Sequence, residues 1–344
     1  YNYTGDFFVA AVTDSSDEII EIEDYTDATF GNQGDNILVD SFSPLITIEP
    51  TADSLDTRPV SELSDATGGL VELGDELSDN PSISESGIYI AFESRATNLD
   101  PNFTGTGNYN IYLCDRSTGV VELISRNSTG ALANADSRNP AISADGRYVA
   151  FESKADNLIS GTSGAASQIY VYDRQTASTK RVSISSEGIP ANADCFRPSI
   201  NANGRIIVFE STATNLNSTY STQLEGQRSM QVFVHDRDVN GSLVYADNYD
   251  TYLISELSGN IANSDATEPK VSLDGDVVAF VSDATNLSTI ATNGFSQIWM
   301  RDLVNGVPSG DISLVSLDNS GTSAGNNDSY GIAINGGKNT PVYG

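Results

Sequence analysis

The chain has 344 residues, 38% of them hydrophobic, and a formal net charge of -30 from 47 acidic against 17 basic residues. That imbalance, with only four lysines among the basic residues, excludes a nucleic-acid binder and disfavours an anionic membrane surface, because both need concentrated cations. No run of 18 apolar residues occurs, so no membrane-spanning helix and no membrane insertion are expected, and two cysteines are too few for a disulfide framework.

The chain begins at Tyr1, as a mature chain would after loss of a signal peptide, and an extracellular or cell-surface location is expected. Residues 4–15, "TGDFFVAAVTDS", read as a turn and a strand with Gly5 at the turn. "NILVDSF" and "PLITIEP" supply two further strands before residue 50. Residues 51–77 are irregular, although "RPVSE" echoes a first strand and leaves room for a degenerate sixth unit.

Four clear repeats follow, at 78–137, 138–196, 197–265 and 266–324. Their turn glycines, Gly87, Gly146, Gly204 and Gly275, are 59, 58 and 71 residues apart. The longest interval holds an extra stretch from Asn217 to Ser229. In the second repeat Pro140-Ala141-Ile142-Ser143 opens a strand, where a missing N–H does no harm. Ala144-Asp145-Gly146-Arg147 is a tight turn, with the glycine free to take positive φ. Tyr148-Val149-Ala150-Phe151-Glu152 is apolar on both faces, as a strand between two layers must be. Gln168–Asp173 and Lys180–Ile184 complete four antiparallel strands, with no helical periodicity anywhere. A lone four-stranded sheet cannot bury two apolar faces, but sheets arranged as blades of a ring cover one another. An all-β propeller is the expected fold, as a single domain over residues 1–344.

"SADGRYVAFES", "IYVYDRQT" and "KRVSISSEG" resemble the TolB-like, WD-repeat-like β-propeller repeat of bacterial and archaeal proteins, over residues 78–324 and four times. The resemblance implies a propeller and an extracytoplasmic setting; it implies no single activity, since the fold hosts binding, scaffolding and catalysis alike. At the C-terminus "NNDSYGIAINGGK" is similar to "NADSRNPAISADGR", with Gly337 at the turn. From Gly5 to Gly337 there are five intervals, so five blades are expected, the closing one built from residues 1–50 and 325–344. Residues 338–343 and Phe7-Phe8-Val9-Ala10 then compete for one strand slot, and Pro341 handicaps the former. The loser is either a solvated tail or a strand for a neighbouring molecule. Phe7, Phe8, Val9, Ile332, Ile334, Val342 and Tyr343 are the assembly candidates.

Candidates for chemistry do not stand out from the repeat. Asp115, Asp173, Asp236 and Asp302 recur at the end of the third strand and suit a strand-to-turn junction. Asn98, Asn157, Asn215 and Asn286, each before a leucine, suit a left-handed backbone position with the leucine plugging between blades. The glutamates at 93, 152 and 210 give way to Val281, so a shared ligand set in a central channel is incomplete. Relatives carry an acidic loop after the Asn-Leu pair, and most of its carboxylates are missing here. No cofactor is expected, with Ca2+ kept open by the charge alone. "GTSAG" at 321–325 falls in a linker and not between a strand and a helix, and His235 is the sole histidine, so a serine triad is not supported. No metal or catalytic residue is assigned. Asn2, Asn102, Asn127, Asn217, Asn240, Asn286 and Asn327 lie in sequons. The leading expectation is a non-catalytic secreted or surface propeller with a structural or adhesive role, self-assembling through its terminal strands. Alternatives are a propeller that binds glycans or peptides through loops such as "GNYNIY" and "YADNYDTY", and a propeller glycoside hydrolase with paired carboxylates.

Overall fold

The computed structural model describes residues 74–100, 107–159, 166–241 and 248–334. The N-terminal strand readings, the assembly candidates Phe7, Phe8, Val9, Val342 and Tyr343, and the sequons at Asn2 and Asn102 lie outside the described residues.

Within them the chain forms four consecutive four-stranded antiparallel sheets, each in the order of the chain. The first holds β1 (Ser78–Ile83), β2 (Tyr89–Ser94), β3 (Asn110–Asp115) and β4 (Val120–Leu123). The second holds β5 (Ser137–Ile142), β6 (Tyr148–Ser153), β7 (Gln168–Asp173) and β8 (Ser178–Arg181). The third holds β9 (Cys195–Ile200), β10 (Ile206–Ser211), β11 (Gln231–Asp236) and β12 (Asp250–Leu253). A small hairpin, β13 (Glu256–Leu257) with β14 (Asn260–Ile261), leads to the fourth sheet of β15 (Ala266–Val271), β16 (Val277–Ser282), β17 (Gln297–Val304) and β18 (Val307–Leu314).

Adjacent sheets pack face to face. Val149 and Phe151 of β6 join a cluster with Ala91, Ile111 and Leu113 of the first sheet. Tyr148 and Ala150, on the other side of the same strand, join Ile207, Phe209 and Phe233 of the third. This is why the second strand of each repeat is apolar throughout: alternate side chains serve two interfaces. A third cluster joins Val208, Val232 and Val234 to Val278, Phe280 and Trp299 of the fourth sheet. Leu99, Leu158, Leu216 and Leu287, at 0–2% exposure, lie in these clusters or on the outer face of the first sheet, as expected of plugs.

Backbone hydrogen bonds also cross from sheet to sheet at the turns between first and second strands. Glu85 N–H donates to Ala144 O, Ala144 N–H to Ala202 O, and Ala202 N–H to Leu273 O. The turns are thereby strung together in one chain of peptides, and the first strands of successive sheets lie side by side.

Two local expectations need correction. The insertion after Asn217 is helical: a 3-10 turn, Ser218–Tyr220, runs into α1 (Ser221–Gln227). The Asn217 side chain accepts from Thr219 N–H, and Leu224, 3% exposed, anchors the helix in the second-to-third sheet cluster. One anchoring leucine in seven residues gives too short a pattern for helical periodicity to register. The prolines do not open the first strands either. Pro140 lies within β5, at a bulge where the register shifts between Arg138 and Ala141, and the same shift recurs in β1, β9 and β15. A bulge residue has no ladder partner, so a proline's missing N–H costs nothing there.

Candidate functional site

The most elaborate polar geometry in the described residues lies at the bulges. The residue before each proline has positive φ although it is not glycine: Asn80 at 49°, Asn139 at 51°, Arg197 at 47° and Glu268 at 53°. Such backbone costs about 1–3 kcal/mol. Asn80 N–H goes to Asp79 Oδ1 at 2.8 Å, but in the other three the rotation turns the N–H out of its own ladder and toward the preceding sheet, where a buried carboxylate receives it. Glu93 Oε2 accepts from Asn139 N–H at 2.7 Å, Glu152 Oε2 from Arg197 N–H at 2.9 Å, and Glu210 Oε2 from Glu268 N–H at 2.8 Å. A hydrogen bond to a charged acceptor contributes about 1.5–3 kcal/mol, enough to offset the strain. Arg138 Nη1 also reaches Glu93 Oε1 at 3.4 Å, and Arg197 Nη1 reaches Glu210 Oε1 at 2.5 Å. Burial pushes the carboxyls of Glu152 and Glu210 above the usual glutamate range, against the opposing hydrogen bonds. These glutamates are clamps between sheets.

The recurring aspartates do what was expected, and two do more. Asp115 accepts from Ser117 N–H, Asp173 from Gln175 N–H and Asp236 from Asp238 N–H, each at 2.9 Å. Asp173 and Asp236 also take bidentate pairs from Arg147 (2.9 and 2.8 Å) and Arg205 (2.8 and 2.7 Å). Burial raises the Asp173 carboxyl, but the hydrogen bonds from Arg147, from Gln175 N–H and from the Thr176 side chain hold it below the usual range. Asp302 also stands in interactions with its surroundings.

The asparagines before leucine are latches, and the left-handed reading of them is corrected: none of the four has positive φ. Asn157 accepts Asn134 N–H at 3.0 Å and donates to Leu132 O at 2.6 Å. Asn215 does the same with Asn192 and Pro190, and Asn286 with Asn263 and Ile261. Asn98 accepts Asp75 N–H. A primary amide is the side chain that satisfies a backbone donor and acceptor together.

Groups that chemistry could use are committed elsewhere. His235 is 2% exposed, bonds Thr251 Oγ1 through Nδ1 at 2.8 Å and packs on Tyr249; burial, then Arg237, push its pKa down to about 3. Cys114 and Cys195 are buried thiols outside any disulfide, and burial pushes the Cys195 thiol up to about 12. "GTSAG" lies in the linker that follows β18, where Leu317 bridges Ala324. The aromatics of "GNYNIY" are occupied: Tyr112 is buried, and the Arg138 guanidinium covers Tyr109 at 3.5 Å. Of "YADNYDTY", Tyr249 packs on His235 and Tyr252 bonds Asp250. An open hollow of about 510 Å3 is lined by Glu85, Ser86, Ala144, Asp145, Ala202 and Asn203, whose Asp145 carboxylate already holds Ser143 and Arg147. Among the described residues no three His, Cys, Asp or Glu side chains gather as metal ligands, and no helix is long and apolar enough to cross a membrane.

The described sequons differ in what their amides do. Asn286 Nδ2 is tied into its latch, Asn127 Nδ2 donates to Asn157 O, and Asn217 Nδ2 donates to Thr251 O. Asn327 and Asn240 are both exposed.

The segment after the fourth sheet, read from the sequence as a repeat of "NADSRNPAISADGR", has the fastenings of a first strand. Ser329 N–H donates to Ser296 O, and Ser296 N–H to Asp328 Oδ1 at 2.8 Å. These are the bonds that start β5 (Ser137 to Tyr109, Tyr109 to Asp136), β9 (Cys195 to Ser167, Ser167 to Asp194) and β15 (Ala266 to Met230, Met230 to Asp265). Gly331 even repeats the positive φ of the bulge residues, at 75°. Yet residues 328–334 pair with no strand among the described residues. Ile332 and Ile334 are half-buried there and Tyr330 is 64% exposed. The described residues also leave the fourth sheet less covered on the same side. Met300 holds the position of Val171 and Val234, which the next sheet buries to 2% and 0%, and it is 36% exposed.

No family model and no curated protein matches the chain. Among solved structures it is similar to TolB from Acinetobacter baumannii, at 18% identity and a TM-score of 0.40, over 75% of this chain and 49% of that one. A putative TolB from Agrobacterium tumefaciens is similar at 17% identity and a TM-score of 0.37, over 71% of this chain and 82% of that one. The β-propeller domain of the Trilobed protease from Pyrococcus furiosus follows at 13% and 0.39, over 71% and 60%. TolB, the resemblance read from the repeats, is thus among the structures similar to this chain, which spans about half the length of the Acinetobacter protein.

Proposed function

We propose that this chain is a non-catalytic, secreted or cell-surface β-propeller with a structural or adhesive role, a subunit of an extracellular filament or surface layer joined by exchange of terminal strands. Its ring has five blades, the closing one drawn from residues 1–50 and 325–344. The observation that carries this reading is the first-strand geometry of residues 328–334 without a second strand among the described residues. An open strand edge beside an uncovered apolar sheet is a template for another strand. The commitment of His235, the glutamates and the aspartates to structural bonds supports a non-catalytic role. Deleting residues 1–12, which carry the second-strand pattern "GDFFVAAV", removes the matching strand. Filaments or higher oligomers in electron micrographs and light scattering are then lost, while the far-UV spectrum keeps its β character. Undiminished assembly by the truncated protein overturns the reading.

A further inference from the structure

The junction after the fourth sheet differs from the three before it in two ways that act together. The first is the clamp. Position 281 is the counterpart of Glu93, Glu152 and Glu210, each paired across the ladder with the second residue of the third strand: Glu93 with Ile111, Glu152 with Ile169, Glu210 with Val232 and Val281 with Ile298. Three carboxylates hold the bulge N–H of the next first strand; Val281 offers none to Gly331. The second is the bulge itself. Four times it is written with a side chain and then proline: Asn80-Pro81, Asn139-Pro140, Arg197-Pro198, Glu268-Pro269. The fifth time it is Gly331-Ile332. Proline fixes φ and a side chain narrows it, whereas glycine leaves the backbone free to turn either way and isoleucine restores a donor. Both changes loosen the same residues, and both lie just beyond the two hydrogen bonds that fasten Asp328 and Ser329.

From this we propose that residues 330–334 are a releasable arm, hinged at Asp328–Ser329, whose partner is a second copy of this chain. The inference rests on the self-assembly proposed above and names its moving part. The arm's chemistry says what it takes. Each first strand here pairs with a second strand of the type "GDVVAF", and residues 5–12, "GDFFVAAV", repeat that type. The sequence pattern of residues 338–343 fits the same slot, so the sequence writes one strand more than the slot holds. A second copy gives the surplus strand a place, and a segment without clamp or proline leaves the arm free to take its partner strand from another molecule.

The test restores what is missing. Val281→Glu gives Gly331 N–H a carboxylate, and Ile332→Pro stiffens the bulge. Amide exchange of residues 330–334 in the full-length wild type is faster than that of residues 196–200, the equivalent of β9. In Val281→Glu/Ile332→Pro it slows about tenfold to a hundredfold, the factor one hydrogen bond to a charged acceptor supplies. Two differently labelled populations, mixed and followed by energy transfer, exchange subunits in the wild type and much more slowly in the double variant. Glu210→Ala, which leaves Glu268 N–H without its acceptor at an internal junction, lowers the melting temperature and leaves the transfer rate unchanged. Wild-type amides at 330–334 as protected as those at 196–200, or transfer as fast in the double variant as in the wild type, overturn the arm. A wild type that stays monomeric at every concentration overturns the self-assembly reading, and with it the partner named here.

Discussion

At the scale of single residues, the clamp glutamates make stability depend on pH with a definite sign. Burial raises the Glu152 carboxyl, with Glu93 nearby adding to the rise, while the Arg197 N–H, the Asn139 side chain and the Arg197 charge oppose it. The native state therefore holds the proton to higher pH than the unfolded chain does. Its contribution is complete below the unfolded value of about 4.3 and is lost as pH rises through the folded value. Glu152→Gln keeps a carbonyl oxygen for Arg197 N–H and removes the titration. The melting temperature of the variant relative to wild type is expected to climb between pH 4 and pH 7. A difference that stays flat or falls over that range contradicts a buried carboxylate whose proton is favoured by folding. His235 is the opposite case: burial pushes its folded pKa down to about 3, so the stability of wild type and variant alike rises with pH up to the unfolded value of about 6.5, and this cancels in the difference between them.

At the scale of the element, the turn between first and second strands ties one sheet to the next. Gly146 and Gly204 have φ of 73° and 76°, and a side chain on either would overlap the ring of Tyr89 or Tyr148 from the preceding sheet. Arg174 and Arg237 close over those same rings at 4.5 and 4.7 Å and donate to the carbonyls of the two glycines. Gly130, at φ 87°, meets nothing within 4 Å. Gly130→Ala is thus expected to cost only the left-handed backbone, about 1–2 kcal/mol, and Gly146→Ala to add about 1–3 kcal/mol of overpacking. Urea midpoints compare the two directly, and equal losses would remove the contact from the account. The sequence made such turns legible, because a glycine at fixed spacing and a strand apolar on both faces each leave a one-dimensional signature. The leucine plugs and the aspartate turns were readable for the same reason. Clamps were not, because a Glu and the amide it holds are separated by 45 to 58 residues, as Glu152 is from Arg197 and Glu210 from Glu268. Spacing within one repeat carries no trace of a bond to the next. The substitution at Val281 was visible as a break in the pattern, but its meaning needed the position of the partner N–H. The helix at Ser221–Gln227 was hidden because one buried leucine does not make a period.

At the scale of the whole molecule, charge opposes compaction. A net charge of -30 repels itself across the surface, and with 17 basic residues, several held in ion pairs with Asp173, Glu210, Asp236 and Glu256, little cationic surface is left to answer it. Repulsion of that kind destabilises the folded state and is screened by any electrolyte. Specific cation binding would act differently, through several oxygens gathered at one point. Among the described residues no such gathering occurs, and the acidic turn residues Asp145 and Asp274 spend their carboxylates on neighbouring hydroxyls and amides. Raising NaCl from low to near-molar concentration is therefore expected to lift the melting temperature by a few degrees, on the order of 1–2 kcal/mol for a domain of this size. CaCl2 at matched ionic strength should give the same lift, and a chelator should change nothing. A calcium-specific increase that saturates at micromolar concentration, with monovalent salt having no effect, would show that the acidic residues are gathered for binding and not merely spread over a hydrated surface.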